Sequence, residues 1–209
     1  MPPRYDAVLF DLLTALLDSW TLWNAVAGGA EAGGRWRAEY LRRTYGTGAY
    51  RDYEELVGEA AVAVGLPRSL ADDLARRYPE LEPWPDAKPV LNRLSGAGLR
   101  LGVVTNCSQA LSSLAAHRVG VAFDVVVTAE RAGCYKPHPQ AYRLALDELC
   151  VSPQRCLFVA GSAYDLFGTA PLGLKAYWHD RAGMPKPHGM PAPLAHHRSL
   201  ERLPGYVLG

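Results

Sequence analysis

The stretch YDAVLFDLLTALLD, residues 5–18, decides the fold, because an apolar run within it ends at Asp11. β-branched and aromatic residues up to position 10 are typical of a buried central strand in a parallel sheet. In open α/β sheets, ligands bind beyond the C-terminal ends of the strands. We therefore predict that Asp11 is a reactive carboxylate at that edge. The alternative is that Asp11 only caps the following turn or helix.

Composition places the chain among soluble globular proteins. Its 209 residues, 49% of them hydrophobic, suit one core domain with a small accessory domain. A net charge of +1 gives no reason to expect nucleic acid or a charged membrane surface as a partner. No run of about eighteen apolar residues predicts a membrane span, and the N-terminus leads into a strand rather than a signal peptide. The four cysteines form no CxxC pair, so a reducing compartment and a cytoplasmic location are expected.

The chain divides into a helical segment and an alternating segment. Apolar stripes predict helices over 35–45, 53–64 and 69–78, after a Gly-rich stretch that we expect to be partly irregular. From residue 90 onward, helices alternate with predicted strands at 99–106, 123–129, 156–162 and 174–179. Such alternation is typical of an α/β fold with a parallel sheet covered on both faces. We predict a core domain of residues 1–15 plus 82–209, a helical domain of residues 16–81, and a surface loop over 183–195.

Polar side chains follow several of these strands at the point where each strand ends. The carboxyl ends of parallel strands meet at one edge of a sheet, so we expect these side chains to converge on one crevice. Taken singly, each has an ordinary interpretation as a turn residue, a helix cap or a solvated charge. Taken together, they predict a reactive site. The residues are Asp11, Thr105, Asn106, Lys136, Ser162 and Asp165.

The order and spacing of these motifs resemble the haloacid dehalogenase superfamily over essentially the whole chain. Residues 16 to about 80 resemble the helical cap that this superfamily inserts after the first strand. The resemblance implies a Rossmann-like, doubly wound parallel sheet as the core. It also implies that Asp11 is the nucleophile.

Two positions argue against the phosphatases of this superfamily. Those enzymes usually carry a second aspartate two residues after the nucleophile and complete a magnesium site with an aspartate in the last motif. This chain has Leu13 at the first position and Gly161 at the second. Leucine cannot donate a proton, and glycine offers no carboxylate to a hard cation. We therefore expect no metal or cofactor, and magnesium only if the chain is a phosphatase with a depleted site.

The chain more closely resembles the 2-haloacid dehalogenase branch, which works without metal. That branch has a Trp-Arg pair in the cap, a pocket-lining aromatic residue, a hydroxyl residue followed by asparagine after the second strand, and a YKPxxxxY pattern. The matching residues here are Trp36-Arg37, Tyr53 or Tyr50, Thr105-Asn106, and Tyr135-Lys136-Pro137 with Tyr142.

The resemblance implies a role for each charged residue. Asp11 displaces halide from a saturated carbon and forms an ester. Arg37 and Asn106 stabilise the leaving halide, and a guanidinium does so without losing a proton. Lys136 keeps Asp11 ionised through its opposite charge. Asp165 orients Lys136 or activates the water that hydrolyses the ester.

The sequence departs from the branch at several positions. The branch reads D-x-Y-G-T after the strand, whereas here Leu13 replaces the tyrosine, Ala15 stands where the threonine is expected, and Thr14 comes one place early. Hydrogen bonds would be rerouted through Thr14 and Ser162, and Leu13 would contact substrate. Three hypotheses remain open: a hydrolase of small 2-substituted carboxylic acids, a phosphatase, and a non-catalytic binding protein. The resemblance also implies a homodimer formed through the caps.

Overall fold

The computed structural model describes residues 3–209 and contains a sheet of six parallel strands. The strand order is β3-β2-β1-β4-β5-β6, with β1 near the centre. This arrangement confirms the predicted Rossmann-like α/β class. The strands are β1 (Ala7–Phe10), β2 (Arg100–Thr105), β3 (Val125–Thr128), β4 (Cys156–Ala160), β5 (Lys175–His179) and β6 (Ala195–His197).

Strand β1 delivers Asp11 to the middle of the sheet's C-terminal edge. All four residues of β1 are buried, because β2 and β4 flank the strand and helices cover both faces. Phe10 is in register with Val103 on one side and Val159 on the other. The Asp11 N–H then donates to the Val159 carbonyl at 2.9 Å, which extends the pairing by one residue.

Two apolar layers sandwich the sheet, as the alternation of side chains along each strand requires. Val8 and Phe10 of β1 face one layer, whereas Ala7 and Leu9 face the other. The first layer contains residues of α5 (Ala87–Gly96), α6 (Gln109–Val119) and α10 (Leu203–Val207). The second contains residues of α8 (Pro139–Glu148) and α9 (Asp165–Thr169), and the short helix α7 (Ala129–Ala132) follows β3.

Four helices lie between β1 and α5: α1 (Ser19–Val26), α2 (Ala30–Gly46), α3 (Tyr53–Ala63) and α4 (Leu70–Arg76). Aromatic side chains pack at their centre, where Trp36 is fully buried and its Nε1 donates to the Val57 carbonyl at 2.8 Å. The two chain connections to this unit pair with each other, since Leu17 bridges Pro83. We propose that this pairing marks the boundary of a cap domain.

The structure differs from the sequence-based expectation in two places. The stretch before residue 35 is almost entirely helical, and α2 begins at Ala30. Gly33 lies inside α2 because a side chain there would meet the Asn24 backbone of α1 at less than 3.1 Å, so close helix packing requires glycine. The second difference is β6, a three-residue edge strand that follows the predicted loop and that we did not anticipate. No helix within residues 3–209 is long and apolar enough to cross a membrane.

Candidate active site

Three buried charges meet at the C-terminal edge of the sheet. Lys136 Nζ lies 2.8 Å from Asp11 Oδ1 and 3.0 Å from Asp165 Oδ1, so the ammonium bridges the two carboxylates. All three residues are buried. The structure thus brings together the three charged residues that the sequence placed at strand ends.

The turn after β1 holds the other oxygen of Asp11. Asp11 Oδ2 accepts hydrogen bonds from Thr14 N at 2.8 Å, Thr14 Oγ1 at 2.5 Å and Ala15 N at 3.1 Å. Thr14 therefore contacts the carboxylate that we predicted to be the nucleophile. The sequence led us to expect hydrogen bonds rerouted through Thr14, and in the structure its hydroxyl bonds Asp11 itself.

Asn106 fixes the backbone that carries Lys136. Asn106 Oδ1 accepts from the Lys136 N–H at 2.7 Å, and Asn106 Nδ2 donates to the Lys136 carbonyl at 3.2 Å. One N–H of the amide remains for a ligand. Thr105 is buried beneath, with its hydroxyl 3.5 Å from Cys107 Sγ.

Tyr142 holds Asp165 from below the pocket. Its hydroxyl donates to Asp165 Oδ1 at 2.7 Å, and the ring is fully buried. Asp165 Oδ2 is buried and has no hydrogen-bond partner within residues 3–209. A buried carboxylate oxygen without a donor raises the free energy of the folded state, so this atom is ready to accept a proton or a hydrogen bond from a ligand.

The two carboxylates have different pKa values. Burial alone would raise the pKa of Asp11, but the charge and hydrogen bond of Lys136, with the hydrogen bonds of Thr14, bring it below its usual value. Burial raises the pKa of Asp165 above its usual value despite Lys136. Burial would lower the pKa of Lys136, yet the charges of Asp11 and Asp165 raise it. The lowered pKa keeps Asp11 ionised, whereas the raised pKa of Asp165 favours its protonated form.

Arg37 brings a second cation to the pocket without an acidic partner. Its Nη2 donates to Ser19 Oγ at 3.0 Å, and Nη1 is buried without any partner in the described chain. The guanidinium carbon lies 3.9 Å from the ring centre of Trp20. Burial lowers the pKa of Arg37, although a guanidinium stays charged in proteins. A buried cation without an acidic partner in the described chain is costly, and an anion in the cavity would offset that cost.

These groups line one small cavity between the sheet edge and the helices of residues 19–76. Its volume is about 70 Å³, which suits a ligand of only a few heavy atoms and is well below the size typical for drug-like ligands. The lining residues are Asp11, Leu13, Thr14, Trp20, Arg37, Tyr40, Leu41, Tyr45, Thr105, Asn106, Lys136, Pro137, Gly161, Ser162, Tyr164, Asp165 and Met184.

The aromatic residues of the cavity are not the ones that sequence reasoning chose. The Tyr53 hydroxyl bonds the Tyr78 hydroxyl at 2.7 Å inside the helical unit, and Tyr50 stacks on Tyr135 at 5.5 Å. Instead, Tyr45 from the end of α2 reaches the cavity and packs on Tyr164 at 4.7 Å. Tyr45 is eight residues after Arg37, which is about two helical turns. The two residues therefore lie on the same side of α2, and this spacing could have identified Tyr45 from the sequence.

Trp20 lines the cavity and Ser19 supports Arg37, and neither was among the predicted site residues. Ser19 Oγ donates to the Leu13 carbonyl at 2.5 Å and accepts from Arg37, so it joins the turn after β1 to the guanidinium. Both residues open α1, in a stretch that we had expected to be partly irregular. Had we predicted a helix at residues 19–26, Ser19 and Trp20 would have been candidates for contacts with α2.

The residues present do not fit a magnesium ion. Lys136 Nζ already contacts Oδ1 of both carboxylates, and Gly161 supplies no oxygen ligand from a side chain. Within residues 3–209, no group of three histidine, cysteine, aspartate or glutamate side chains is arranged to hold a metal.

Comparison with known proteins gives a consistent result. The family model for haloacid dehalogenase-like hydrolases matches residues 5–173. The (S)-2-haloacid dehalogenase 4A of Burkholderia cepacia is 30% identical over 206 residues, which cover 91% of this chain and 89% of that protein. The (S)-2-haloacid dehalogenase 1 of a Pseudomonas species is 30% identical over 97% of this chain and 96% of that protein. A solved dehalogenase structure with an intermediate complex superposes with a TM-score of 0.86 at 26% identity and covers 100% of both chains.

Proposed function

The chain belongs to the haloacid dehalogenase-like hydrolases, and from this we propose that it hydrolyses the carbon–halogen bond of a small 2-haloacid through an ester on Asp11. The observation that carries this proposal is the buried Nη1 of Arg37, which has no partner within residues 3–209 and belongs to a residue of the cavity that contains Asp11. A leaving halide is an anion that needs such a donor, whereas a neutral leaving group does not. The names of both relatives specify a 2-haloacid substrate.

The first step is displacement of halide. Asp11 Oδ1 attacks the carbon that bears the halogen, a C–O bond forms, and the halide leaves with the electron pair of the broken bond. Arg37 binds the departing anion, and the free N–H of Asn106 adds a second donor. The small, mostly apolar cavity strengthens these electrostatic contacts because its walls have a low dielectric constant.

The second step is hydrolysis of the ester. A water oxygen attacks Cγ of Asp11 and gives one proton to Asp165. The Cγ–Oδ1 bond then breaks, the departing alcohol oxygen takes that proton from Asp165, and the second water proton is released to solvent as the Asp11 carboxylate re-forms. The products are a 2-hydroxyacid and the regenerated Asp11 carboxylate. Asp165 suits this role because burial raises its pKa and its Oδ2 has no other partner in the described chain. Lys136 stabilises the charge on both carboxylates, and Tyr142 holds Asp165 in place.

The remaining polar side chains of the cavity serve the substrate. We assign Thr105 and Ser162 to hydrogen bonds with the substrate carboxylate or with the hydrolytic water, since both line the cavity. Leu13 forms an apolar wall in the place of the expected tyrosine. The reaction described needs no metal ion or cofactor.

Neither alternative from the sequence has an observation of its own in this site. A phosphatase with magnesium is disfavoured because Lys136 already neutralises Oδ1 of both carboxylates and because Gly161 has no side-chain oxygen to offer a metal. A binding scaffold would have no use for a buried carboxylate with a raised pKa next to one with a lowered pKa. Such pairs cluster at catalytic sites.

Two further expectations concern assembly and location. The resemblance to the dehalogenase branch supports a homodimer formed through the helical cap. The four cysteines are free, and three of them are buried, which supports a reducing, cytoplasmic location. Light scattering on the purified protein tests the dimer.

Halide release from 2-chloro and 2-bromo acids tests the function. The assay is run with a chelator and compares the natural chain with Asp11→Asn and Arg37→Ala. We expect halide release without metal that both substitutions reduce by several orders of magnitude. Failure on all acids, together with magnesium-dependent turnover of p-nitrophenyl phosphate that requires Asp11, would contradict the proposal.

A further inference from the structure

The two oxygens of Asp11 lie in different surroundings. Oδ2 accepts three hydrogen bonds from the turn formed by Thr14 and Ala15. Oδ1 has a single partner in the described chain, the Lys136 ammonium at 2.8 Å. The lone pairs of Oδ2 are therefore engaged, and Oδ1 retains a lone pair for attack on a ligand in the cavity.

The turn after β1 reaches Asp11 only because residue 161 has no side chain. A Cβ at Gly161 would lie less than 3.0 Å from Thr14 Oγ1 and from the Ala15 nitrogen, distances that real Cβ atoms essentially never show. These are two of the three atoms that donate to Asp11 Oδ2. Thr14, after β1, thus occupies the space that a side chain at residue 161, after β4, would need.

The same turn is also held from its carbonyl side. Trp84 Nε1 donates to the Thr14 carbonyl at 3.0 Å, and His179 Nδ1 lies 2.9 Å from the Ala15 carbonyl. The Trp84 contact fixes the peptide group that carries the Ala15 N–H. Ser19 Oγ donates to the Leu13 carbonyl at 2.5 Å and fixes the peptide group that carries the Thr14 N–H, so both N–H groups keep their direction toward Asp11. The carboxylate therefore cannot rotate without breaking three hydrogen bonds at once.

We propose that Thr14 and Gly161 together lock the Asp11 carboxylate, so that Oδ1 attacks in every turnover and Oδ2 never does. Thr14 is the positioning residue, and Gly161 is the residue that admits it. The inference rests on the proposed function. It explains why a threonine one place early in the first motif occurs with a glycine in the last motif.

The lock has a consequence for the fate of each oxygen atom. When the ester is cleaved between Cγ and Oδ1, the original Oδ1 leaves in the alcohol product and a water oxygen takes its place. In a locked carboxylate, that new oxygen attacks in the next turnover, whereas Oδ2 stays on the enzyme. In a carboxylate that rotates between turnovers, both positions exchange with water.

Repeated turnover in oxygen-18 water distinguishes the two cases. After many turnovers, the peptide that contains Asp11 is isolated and weighed by mass spectrometry. We expect one oxygen-18 atom in the natural protein and two in Thr14→Ala, at equal numbers of turnovers. Thr14→Ser keeps the hydroxyl and should restore the single label. Equal rates of entry for the first and second label in the natural protein would overturn the inference.

Gly161→Ala tests the second half of the pair, with Gly205→Ala as the matched control. A Cβ at Gly205 in α10 meets nothing within 4 Å, so this control should not change labelling or activity. Gly161→Ala pushes the turn away from Asp11, and we expect double labelling and a fall in kcat/KM of at least about tenfold. Adding Thr14→Ala should then have little further effect, because the contact is already lost. Full additivity of the two substitutions would contradict the coupling.

A substrate-free measurement keeps this inference separate from the proposed function. The thermal midpoints of the natural protein, Thr14→Ala, Gly161→Ala and the double variant give the coupling between Thr14 and Gly161 without any turnover. If the two substitutions change the thermal midpoint non-additively but the protein releases no halide and takes up no oxygen-18, the proposed function is overturned and the contact between Thr14 and Gly161 is supported. Halide release that requires Asp11, together with two oxygen-18 atoms in Asp11 of the natural protein, would support the proposed function and overturn the lock.

Discussion

Lys136 Nζ lies 2.8 Å from Asp11 Oδ1, and the side chains of this pair are only 7% and 10% exposed although 125 residues separate them. With Asp165 and Arg37, the cavity holds two carboxylates and two cations, which balance before any ligand enters. An anionic substrate upsets this balance by one negative charge. The raised pKa of Asp165 makes it the group that can take up a proton in response.

Removal of the Lys136 charge should damage both activity and stability. Lys136→Met leaves two buried carboxylates unpaired, and breaking a buried pair in this way costs about 3–5 kcal/mol. The pKa of Asp11 should rise because its main stabilising charge is gone. Urea unfolding and halide release measure the two effects. Lys175→Met at the exposed start of β5 is the control, and wild-type stability in Lys136→Met would contradict the ion-pair argument.

The buried charge of Arg37 should lower the unfolding free energy of the protein when no ligand is bound. Arg37→Met replaces an unpaired buried cation by an apolar chain of similar length, and we expect a gain of about 1–3 kcal/mol in unfolding free energy with loss of dehalogenation. Bromide or iodide should raise the thermal midpoint of the natural protein but not of Arg37→Met, because ligands stabilise only the state that binds them.

The matched control for this prediction is Arg35→Met. Arg35 lies on the exposed side of α2 and pairs with Glu31, so its removal should change the unfolding free energy by less than about 1 kcal/mol. An Arg37→Met protein that is less stable than the natural chain, and that still responds to bromide, would show that Arg37 has a structural role and does not bind halide.

The sequence was sufficient to predict the sheet and the three charges at its edge. Asp11 and Asp165 follow buried strands, and the ends of parallel strands must meet at one edge, so pattern alone brings them together. Lys136 was less certain from pattern, since its side chain crosses to Asp11 from a turn between two helices. The pKa difference between the two carboxylates needed the structure, because it depends on which oxygen receives each donor.

The cap side of the cavity could not be predicted in the same way. Tyr45 and Tyr53 are both helical tyrosines near a turn, and only the packing angle of α2 against α3 decides which one faces the sheet. Ser19 was missed because Gly-rich surroundings indicated irregular structure. Gly33 is in fact a point of close helix contact. The three-residue strand β6 is too short to show a period.

Tyr53 should matter for stability and little for substrate. Its hydroxyl is buried against the Tyr78 hydroxyl, so Tyr53→Phe should cost about 0.5–1.5 kcal/mol of unfolding free energy and leave KM within about twofold. Tyr45→Ala should instead raise KM, because it removes a wall of the cavity that packs on Tyr164. Steady-state kinetics with urea unfolding separates the two, and a large KM effect in Tyr53→Phe would contradict this assignment.

The pH dependence should differ between the two steps. Ester hydrolysis needs ionised Asp165, and burial raises its pKa, so kcat should fall with decreasing pH at a value above the usual carboxylate range. Displacement needs ionised Asp11, whose pKa is lowered, so kcat/KM should persist to a lower pH than kcat if hydrolysis limits turnover.

Tyr142→Phe removes a hydrogen bond that lowers the pKa of Asp165 and should move the acid limb of kcat upward by about one unit. Asp165→Asn should abolish that limb and let the Asp11 ester accumulate, which mass spectrometry detects. Superimposed acid limbs for kcat and kcat/KM, unchanged in Tyr142→Phe, would assign the proton transfer to a group other than Asp165.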